Sequence, residues 1–257
     1  MANKPQAWWP DPVGPARVVV PIVAGDMETA EAQARAIAAT DADMVEWRAD
    51  AFAAVGPLPG EIARFAGTLR QIVAPKPLIA TWRTGAEGGA APSAGGDGRC
   101  HSYEEMTAAW IDARSCDAID VQVFDSAGPT LIAQARRNDM PVIGSWHDLA
   151  GTPPVAEIVD KLAAIEAAGA SVAKVAVTAR RRADVTALLD ATRRRAAVAG
   201  IPLITMAMGD AGIPTRVLGY QWGSQATWAT VGPASAPGQV RLHMLRQVWA
   251  QLTSDAT

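Results

Sequence analysis

The stretch Pro141-Val-Ile-Gly-Ser-Trp-His-Asp148 is followed, after one helical segment, by Val172-Ala-Lys-Val-Ala-Val177. Both runs are short and mostly apolar, which is typical of strands that are buried on both faces. A strand, a helix and a second strand form a parallel βαβ unit, so the two strands are expected to lie side by side in one sheet. His147 and Lys174 therefore leave neighbouring strands and can face the same cavity.

The segment between these two strands has the features of an amphipathic helix. Its apolar residues recur at helical spacing over residues 155–165. Thr152 is placed to be the N-cap, Pro153 stands at the expected first helical position, and Gly169 follows the expected end. The three signals agree on a helix of ordinary length.

Other parts of the chain repeat this alternation. Further strand-like runs occupy residues 17–24, 43–48, 78–83, 118–123, 202–207 and 226–231. Eight strand and helix pairs predict an α/β fold of the closed (β/α)8 TIM barrel type. A doubly wound open sheet has the same alternation and stays as the alternative architecture. The pattern predicts one barrel domain, 1–257, with residues 1–15 as an N-terminal extension.

Composition narrows the class of protein. The chain has 257 residues, a formal net charge of -3 and scattered basic residues, so it lacks the basic stripe that nucleic acid requires. Cys100 and Cys116 are too few for a disulfide framework and fit free thiols in a reducing cytosol. No run approaches the roughly 18 apolar residues of a membrane helix, and the first residues lack a signal core. We expect a soluble, cytoplasmic protein with no nucleic-acid or membrane partner.

Polar side chains gather where the predicted strands end. In a parallel barrel the carboxyl ends of the strands open onto the active-site face. Three guanidinium groups with a hydroxyl and an amide around one lysine predict a small anionic, hydroxylated ligand. A carboxylate fits better than a phosphate, because residues 235–239 lack a glycine-rich loop leading into a helix. The candidate residues are Glu46, Arg48, Arg83, Glu87, His147, Lys174, Arg216, Ser235 and Gln239.

Lys174 is the most unusual member of this set, because it stands inside an apolar strand. Burying an ammonium group is costly unless it is paired. Burial near other cations favours the uncharged amine, which can attack a ketone or an aldehyde and form a Schiff base. The alternative is a structural ion pair with Glu46 or Asp120.

His147 alone could be a satisfied core or surface histidine, but it ends the strand next to the lysine strand, which favours a catalytic base beside the amine. The other two histidines, His101 and His243, have no partners at metal-ligand spacing, which disfavours a metal site. Glu87 either orients and charge-balances the imidazole or is a solvent-facing loop residue. The glycine-rich run after it is either a flexible connector or a mobile active-site flap.

Basic residues also occur in two runs around the helix that follows the lysine strand. These runs, residues 180–182 and 193–195, fall at the predicted start and end of that helix. Charge runs of this kind are expected to be solvated helix faces.

Taken together, the motifs resemble type I 3-dehydroquinate dehydratase, the Schiff-base enzyme of the shikimate pathway, from about Val18 to Leu252. The resemblance implies a (β/α)8 barrel, a homodimer, and no metal or organic cofactor. Six ordered segments carry it: Val45-Glu-Trp-Arg-Ala-Asp50, Thr81-Trp-Arg-Thr-Gly-Ala-Glu-Gly-Gly89, Ser145-Trp-His-Asp148, Lys174-Val-Ala-Val177, Ile204-Thr-Met-Ala-Met-Gly209 and Ala234-Ser-Ala-Pro-Gly-Gln239.

The resemblance also implies a role for each candidate residue. Lys174 would form an iminium with the C3 ketone of 3-dehydroquinate. His147 would remove the C2 proton and later protonate the leaving C1 hydroxyl, while Glu87 orients it. The substrate carboxylate region would be held by Arg216, Ser235 and Gln239, and its hydroxyls by Glu46, Arg48 and Arg83.

Three departures from the family pattern raise expectations of their own. Gln122 stands where the family commonly has an acid in the fourth strand, which predicts that a carboxylate able to pair with Lys174 or Arg48 is missing. Trp146 and Trp228 replace smaller residues or phenylalanine and are expected to narrow the pocket or to shift substrate preference. A Schiff-base aldolase on a related barrel and a non-catalytic binding relative of the dehydratase are the alternative functions.

Overall fold

The computed structural model describes residues 8–55, 58–90, 102–232 and 236–254. In these ranges the strands are β1 Arg17–Ile22, β2 Met44–Arg48, β3 Leu78–Thr81, β4 Ala118–Gln122, β5 Val142–His147, β6 Val172–Thr178, β7 Leu203–Met208, β8 Ala226–Thr230 and β9 Val240–Arg241. The helices are α1 Met27–Ala38, α2 Pro59–Val73, α3 Tyr103–Ala113, α4 Gly128–Arg137, α5 Val155–Ala167, α6 Arg182–Ala196, α7 Ile213–Leu218 and α8 Leu242–Ser254.

The sheet closes on itself. Its order is β7-β6-β5-β4-β3-β2-β1-β8, every neighbouring pair is parallel, and the short β9 lies beside β8. At the seam the backbone N–H of Gln225 donates to the carbonyl of Leu203 at 2.7 Å, and the N–H of Thr205 donates to Ser224 Oγ at 3.0 Å. These bonds join β7 to β8. The closed (β/α)8 barrel is therefore confirmed, and the open sheet is excluded.

Side chains alternate between two cores along every strand, as the period of two requires. Residues such as Val18, Val20 and Ile22 of β1 point outward into the core between sheet and helices. The alternate residues of the strand starts form an apolar floor inside the barrel: Val19, Met44, Ile79, Ala118, Ile143, Val172, Ile204 and Ala226. The floor leaves the upper half of the barrel for polar groups.

Two tryptophans complete the floor. Trp8 and Trp9 are buried in the same interior cluster, with ring centroids 5.3 Å apart. The guanidinium of Arg17 stacks over the Trp9 ring at 4.5 Å. Part of the segment expected to be an extension thus packs against the barrel. The assignment of residues 1–257 to one domain stays a prediction.

Above the floor, the next inward positions carry hydrogen-bonding and charged groups. Two residues beyond five of the eight floor residues lie Glu46, Thr81, Asp120, Ser145 and Lys174, and two residues further along four of these strands lie Arg48, Arg83, Gln122 and His147. Each set comes from different strands at nearly the same height. The barrel therefore brings together side chains that are far apart in sequence.

The helix between β5 and β6 begins later than its sequence signals predicted. Its N-cap is Pro154, so the assignment of Thr152 as N-cap and Pro153 as first helical residue is wrong. Thr152 instead donates its hydroxyl to the carbonyl of Thr178 at 2.9 Å, at the end of the neighbouring strand. Gly169 follows the helix with a φ of 90°, which confirms its predicted place.

The arginine runs around α6 were correctly expected at its two ends. Most of these side chains are exposed, but Arg195 is buried and forms an ion pair with Glu166 of α5. The expectation of a solvated face is therefore wrong for Arg195, because it sits between two packed helices.

Two remaining observations concern the chain as a whole. Cys116 is a buried free thiol, and burial raises its pKa to about 12. Cys100 and most of the glycine-rich run lie outside the described residues. None of the described helices is both long enough and apolar enough to cross a membrane.

Candidate active site

A cavity of about 480 Å³ opens at the carboxyl ends of the strands. Its apolar lining includes Met206, Met208 and Trp228. Ser235 lies outside the described residues. The other eight predicted site residues all line this cavity: Glu46, Arg48, Arg83, Glu87, His147, Lys174, Arg216 and Gln239. In the described ranges no group of three or more His, Cys, Asp or Glu side chains is placed to hold a metal ion.

Lys174 is buried, and two carboxylates and an aromatic ring lie close to its amine. Nζ lies 3.0 Å from Asp120 Oδ2, 4.0 Å from Glu46 Oε1 and 4.2 Å from the ring centroid of Trp228. The ion pair that the sequence left as an alternative is present. Since Lys174 also lines the cavity, pairing and access to a ligand coexist.

Asp120 is the counter-ion whose loss was expected. It accepts from Arg83 Nη2 at 2.8 Å and from Ser145 Oγ at 2.6 Å. Burial alone would raise the pKa of Asp120, but the nearby cations Arg83 and Lys174 hold this pKa well below its usual range. The carboxylate is therefore ionised at neutral pH.

The expectation drawn from Gln122 is consequently wrong. The amide oxygen of Gln122 accepts from the backbone N–H of Thr84 at 2.9 Å, and its amide nitrogen donates to Thr84 Oγ1 at 2.8 Å. Gln122 thus fastens the start of the loop after β3. Lys174 keeps a carboxylate partner because Asp120, two residues earlier on β4, supplies it.

His147 and Glu87 form a close pair. His147 Nδ1 lies 2.6 Å from Glu87 Oε2, so the other ring nitrogen, Nε2, is left for a ligand. Burial lowers the pKa of His147 well below its ordinary value, and the nearby cations Arg83 and Lys174 lower it further. The imidazole is neutral at pH 7 and suited to accept a proton. Glu87 faces the histidine rather than solvent.

Glu87 is expected to make the free energy of unfolding depend on pH. Burial raises its pKa from 4.5 to about 7. Between these values the folded protein keeps a proton that the unfolded chain loses, so this residue contributes stability at low pH that is lost as pH rises. We expect Glu87→Gln, which cannot titrate, to gain stability relative to the wild type from about pH 4.5 to about pH 7. The gain is expected to reach about 3 kcal/mol.

Urea unfolding of both proteins across this pH range measures that difference. Subtracting the two curves removes the titration of other groups, which is common to both proteins. A difference that stays flat with pH would contradict a raised Glu87 pKa. Glu157→Gln, at an exposed position of α5, is the matched control, and its difference from the wild type should change far less with pH.

Arg83 and Arg48 are held by carboxylates of the site. Arg83 reaches Asp120 and, at 3.3 Å, Glu87 Oε2. Arg48 forms two bonds of 2.8 Å with Asp50, whose Oδ2 also accepts from the backbone N–H of Ala90. Both guanidinium groups border the cavity in fixed orientations, which suits recognition of hydroxyl groups.

Arg216 differs from the other two arginines. It is buried, and its Nη1 donates to the sulfur of Met206 at 3.3 Å. In the part of the chain that the structure describes, no carboxylate lies within ion-pair distance of it and its Nε has no partner. Burial lowers the pKa of Arg216 to about 10. A buried guanidinium without an anion is a strong candidate for binding an anionic ligand.

The two tryptophans that were expected to narrow the pocket have different positions. Trp228 lines the cavity, and its indole N–H donates to Glu46 Oε2 at 2.8 Å. Trp146 points out of the barrel, where its ring meets Phe124 edge-on and lies under the Lys161 amine. Trp228 is therefore placed where it can narrow the pocket, and that expectation stays a prediction, whereas the expectation is wrong for Trp146.

Sequence reasoning did not assign three inward-facing polar residues to the site. These are Asp120, Ser145 and Thr81. Each lies two residues beyond a floor residue and faces inward. Ser145 pairs in register with Lys174, so counting outward from the lysine along paired strands would have found it.

Comparisons with known proteins give the family. Residues 18–256 match the model of the type I 3-dehydroquinase family. The chain belongs to this family. A 3-dehydroquinate dehydratase of Salmonella typhimurium is 34% identical over 238 residues, which cover 91% of this chain and 92% of that protein. The predicted family is thereby confirmed, and membership makes the protein a carbon–oxygen hydro-lyase.

Solved structures of the family have the same architecture. The 3-dehydroquinate dehydratase of Geobacillus kaustophilus superposes with a TM-score of 0.85 at 29% identity, covering 93% of this chain and 91% of that one. The type I enzyme of Clostridium difficile, solved with covalently modified comenic acid, gives 0.84 at 29% identity and covers 94% of both chains. Family members therefore share this barrel over nearly their whole length.

Proposed function

We propose that the protein converts 3-dehydroquinate to 3-dehydroshikimate through a Schiff base on Lys174, with His147 as general acid and base. The observation that carries the proposal is the placement of a cavity-facing amine beside a neutral imidazole on the neighbouring strand. The Clostridium difficile relative, which was solved with covalently modified comenic acid, supports covalent chemistry as part of the proposal.

The first step follows from the surroundings of the amine. In its uncharged form, Nζ adds to the C3 carbonyl of the substrate, and loss of water leaves a positively charged iminium. Asp120 and Glu46 lie 3.0 Å and 4.0 Å from Nζ and the Trp228 ring covers it, so these groups stabilise that positive charge. The iminium in turn withdraws electrons from C2 and makes its hydrogen acidic.

The second step uses the histidine twice. Neutral His147 takes the C2 proton, and the resulting imidazolium is stabilised by Glu87 at 2.6 Å. The enamine then expels the C1 hydroxyl, which leaves as water after receiving the proton from His147. Water hydrolyses the conjugated iminium, which releases the product and restores the lysine.

Arg216 is proposed to bind the substrate carboxylate, together with Ser235 and Gln239, while Glu46, Arg48 and Arg83 hold the hydroxyls. We expect Arg216→Met to raise KM by about 100-fold or more with a smaller effect on kcat, because a buried charge pair with the ligand is lost. Its unfolding free energy should be unchanged or higher, since a desolvated cation disappears.

Steady-state kinetics and thermal unfolding of the same variant check both parts. The exposed Arg182→Met at the start of α6 is the control and should change neither quantity. An unchanged KM in Arg216→Met would remove this residue from the proposed binding site.

The direct test of the function is an assay of purified protein with 3-dehydroquinate, because dehydration creates a conjugated enone with ultraviolet absorbance. An increase in absorbance supports the dehydratase. Cleavage of a carbon–carbon bond without enone formation would indicate the aldolase alternative, and tight product binding without turnover would indicate a non-catalytic relative.

The remaining properties implied by the family are also proposals. We propose that the protein needs no metal or organic cofactor, acts in the cytoplasm and forms a homodimer. Full activity after treatment with a chelator and extensive dialysis would support the first, cell fractionation tests the second, and the mass in solution by light scattering tests the third.

A further inference from the structure

Trp228 contacts two charged groups of the site at once. The face of its indole covers Lys174 Nζ at 4.2 Å from the ring centroid. The edge of the same ring donates its N–H to Glu46 Oε2 at 2.8 Å. All three side chains are buried, so neither contact is weakened by bulk water.

Glu46 is consequently held from two sides. Its Oε1 accepts from Thr81 Oγ1 at 2.9 Å, and its Oε2 accepts from Trp228. The carboxylate cannot rotate without losing one of these bonds, and its Oε1 stands 4.0 Å from Lys174 Nζ. The position of this anion relative to the amine therefore depends on the indole N–H.

The amine is likewise enclosed on its strand side. Asp120 lies on one side at 3.0 Å, Glu46 lies on another, and the Trp228 ring covers a third. Lys174 also lines the cavity, where Nζ would meet a carbonyl carbon. A phenylalanine at this position has a ring face but no N–H. It would still cover the amine of Lys174, but it could not donate a hydrogen bond to Glu46.

We propose that Trp228 is a positioning residue for the reaction: its indole fixes Lys174 and Glu46 as one unit and aims the amine into the cavity. The inference rests on the proposed Schiff-base function. A cation–aromatic contact is strongest when it is desolvated, and a hydrogen bond to a carboxylate is stronger than one to a neutral acceptor. Both conditions hold at this ring.

The experiment separates the two contacts with two substitutions. Trp228→Phe keeps a ring face and removes the N–H, whereas Trp228→Leu removes both. We measure the rate at which substrate and borohydride convert Lys174 to a secondary amine, together with kcat and KM. The expected fall in the trapping rate is about tenfold for Phe and about 100-fold for Leu, with KM changed less than about threefold.

Trp146→Phe is the matched control, because this tryptophan lies outside the barrel and should leave all three quantities unchanged. A double-mutant cycle with Glu46→Gln tests the route of the effect. If the indole N–H acts through the carboxylate, Trp228→Phe should have little further effect in the Gln background.

Each outcome decides a claim. Additive effects in the cycle, or a raised KM with an unchanged trapping rate, would overturn the positioning role and leave the proposed function standing. Absence of any trapped adduct in the wild type would overturn the proposed function and this inference together. Should Trp228→Leu fail to fold, the Phe variant and the cycle still decide the role.

Discussion

Lys174→Ala is expected to lower kcat by at least about 10⁴-fold, because the reaction loses the atom that forms its covalent intermediate. Dehydration of the free ketone would then depend on His147 and on binding alone. The adduct formed with substrate and borohydride should disappear in the same variant. The enone assay and intact-protein mass spectrometry measure the two effects.

Loss of folding must be separated from loss of chemistry in this experiment. Removing Lys174 leaves Asp120 paired with Arg83 at 2.8 Å, so the buried carboxylate is not left uncompensated. Lys174→Met fills the same space and should be equally inactive. Lys161→Ala, whose amine lies over Phe124 and Trp146 outside the barrel, should keep full activity. An active alanine variant at position 174 would refute the imine step.

His147→Ala is expected to lower kcat by about 10²- to 10⁴-fold while imine formation survives. The reason is that the imidazole is needed to move the proton from C2 to the leaving oxygen, whereas the amine attacks the ketone by itself. Borohydride should therefore still trap substrate on Lys174. This combination of slow turnover and preserved trapping distinguishes the two roles.

His243→Ala is the control, since this histidine is exposed on α8. Equal loss of trapping and turnover in His147→Ala would move the histidine to the imine step instead of the elimination. Wild-type turnover in the same variant would exclude it from the chemistry altogether. Thermal unfolding curves of both variants check that the fold is intact.

The barrel and the composition of its cavity were predictable because both follow from short-range rules. Apolar runs alternate with amphipathic helices, and a parallel sheet places every strand's carboxyl end on one face. His147 and Lys174 could be assigned to neighbouring strands from chain order alone. Eight of the nine predicted site residues consequently line one cavity.

The errors arose where the outcome depends on the inward and outward alternation of side chains along a strand, on the stagger between strands, or on long-range packing. Trp146 lies between Ser145 and His147, which both face inward, so it has to face outward. Asp120 and Gln122 face the same side, and only the stagger between strands determines which one meets Lys174. Arg195 is buried by a neighbouring helix, which its own sequence surroundings do not reveal.

Trp8 and Trp9 bear on how the protein can be handled. They enter the barrel at its floor, on the side opposite to the cavity. A tag or reporter joined upstream of them should consequently leave the substrate entrance unobstructed. Deleting residues up to and including Trp9 would expose the apolar floor of the barrel to solvent.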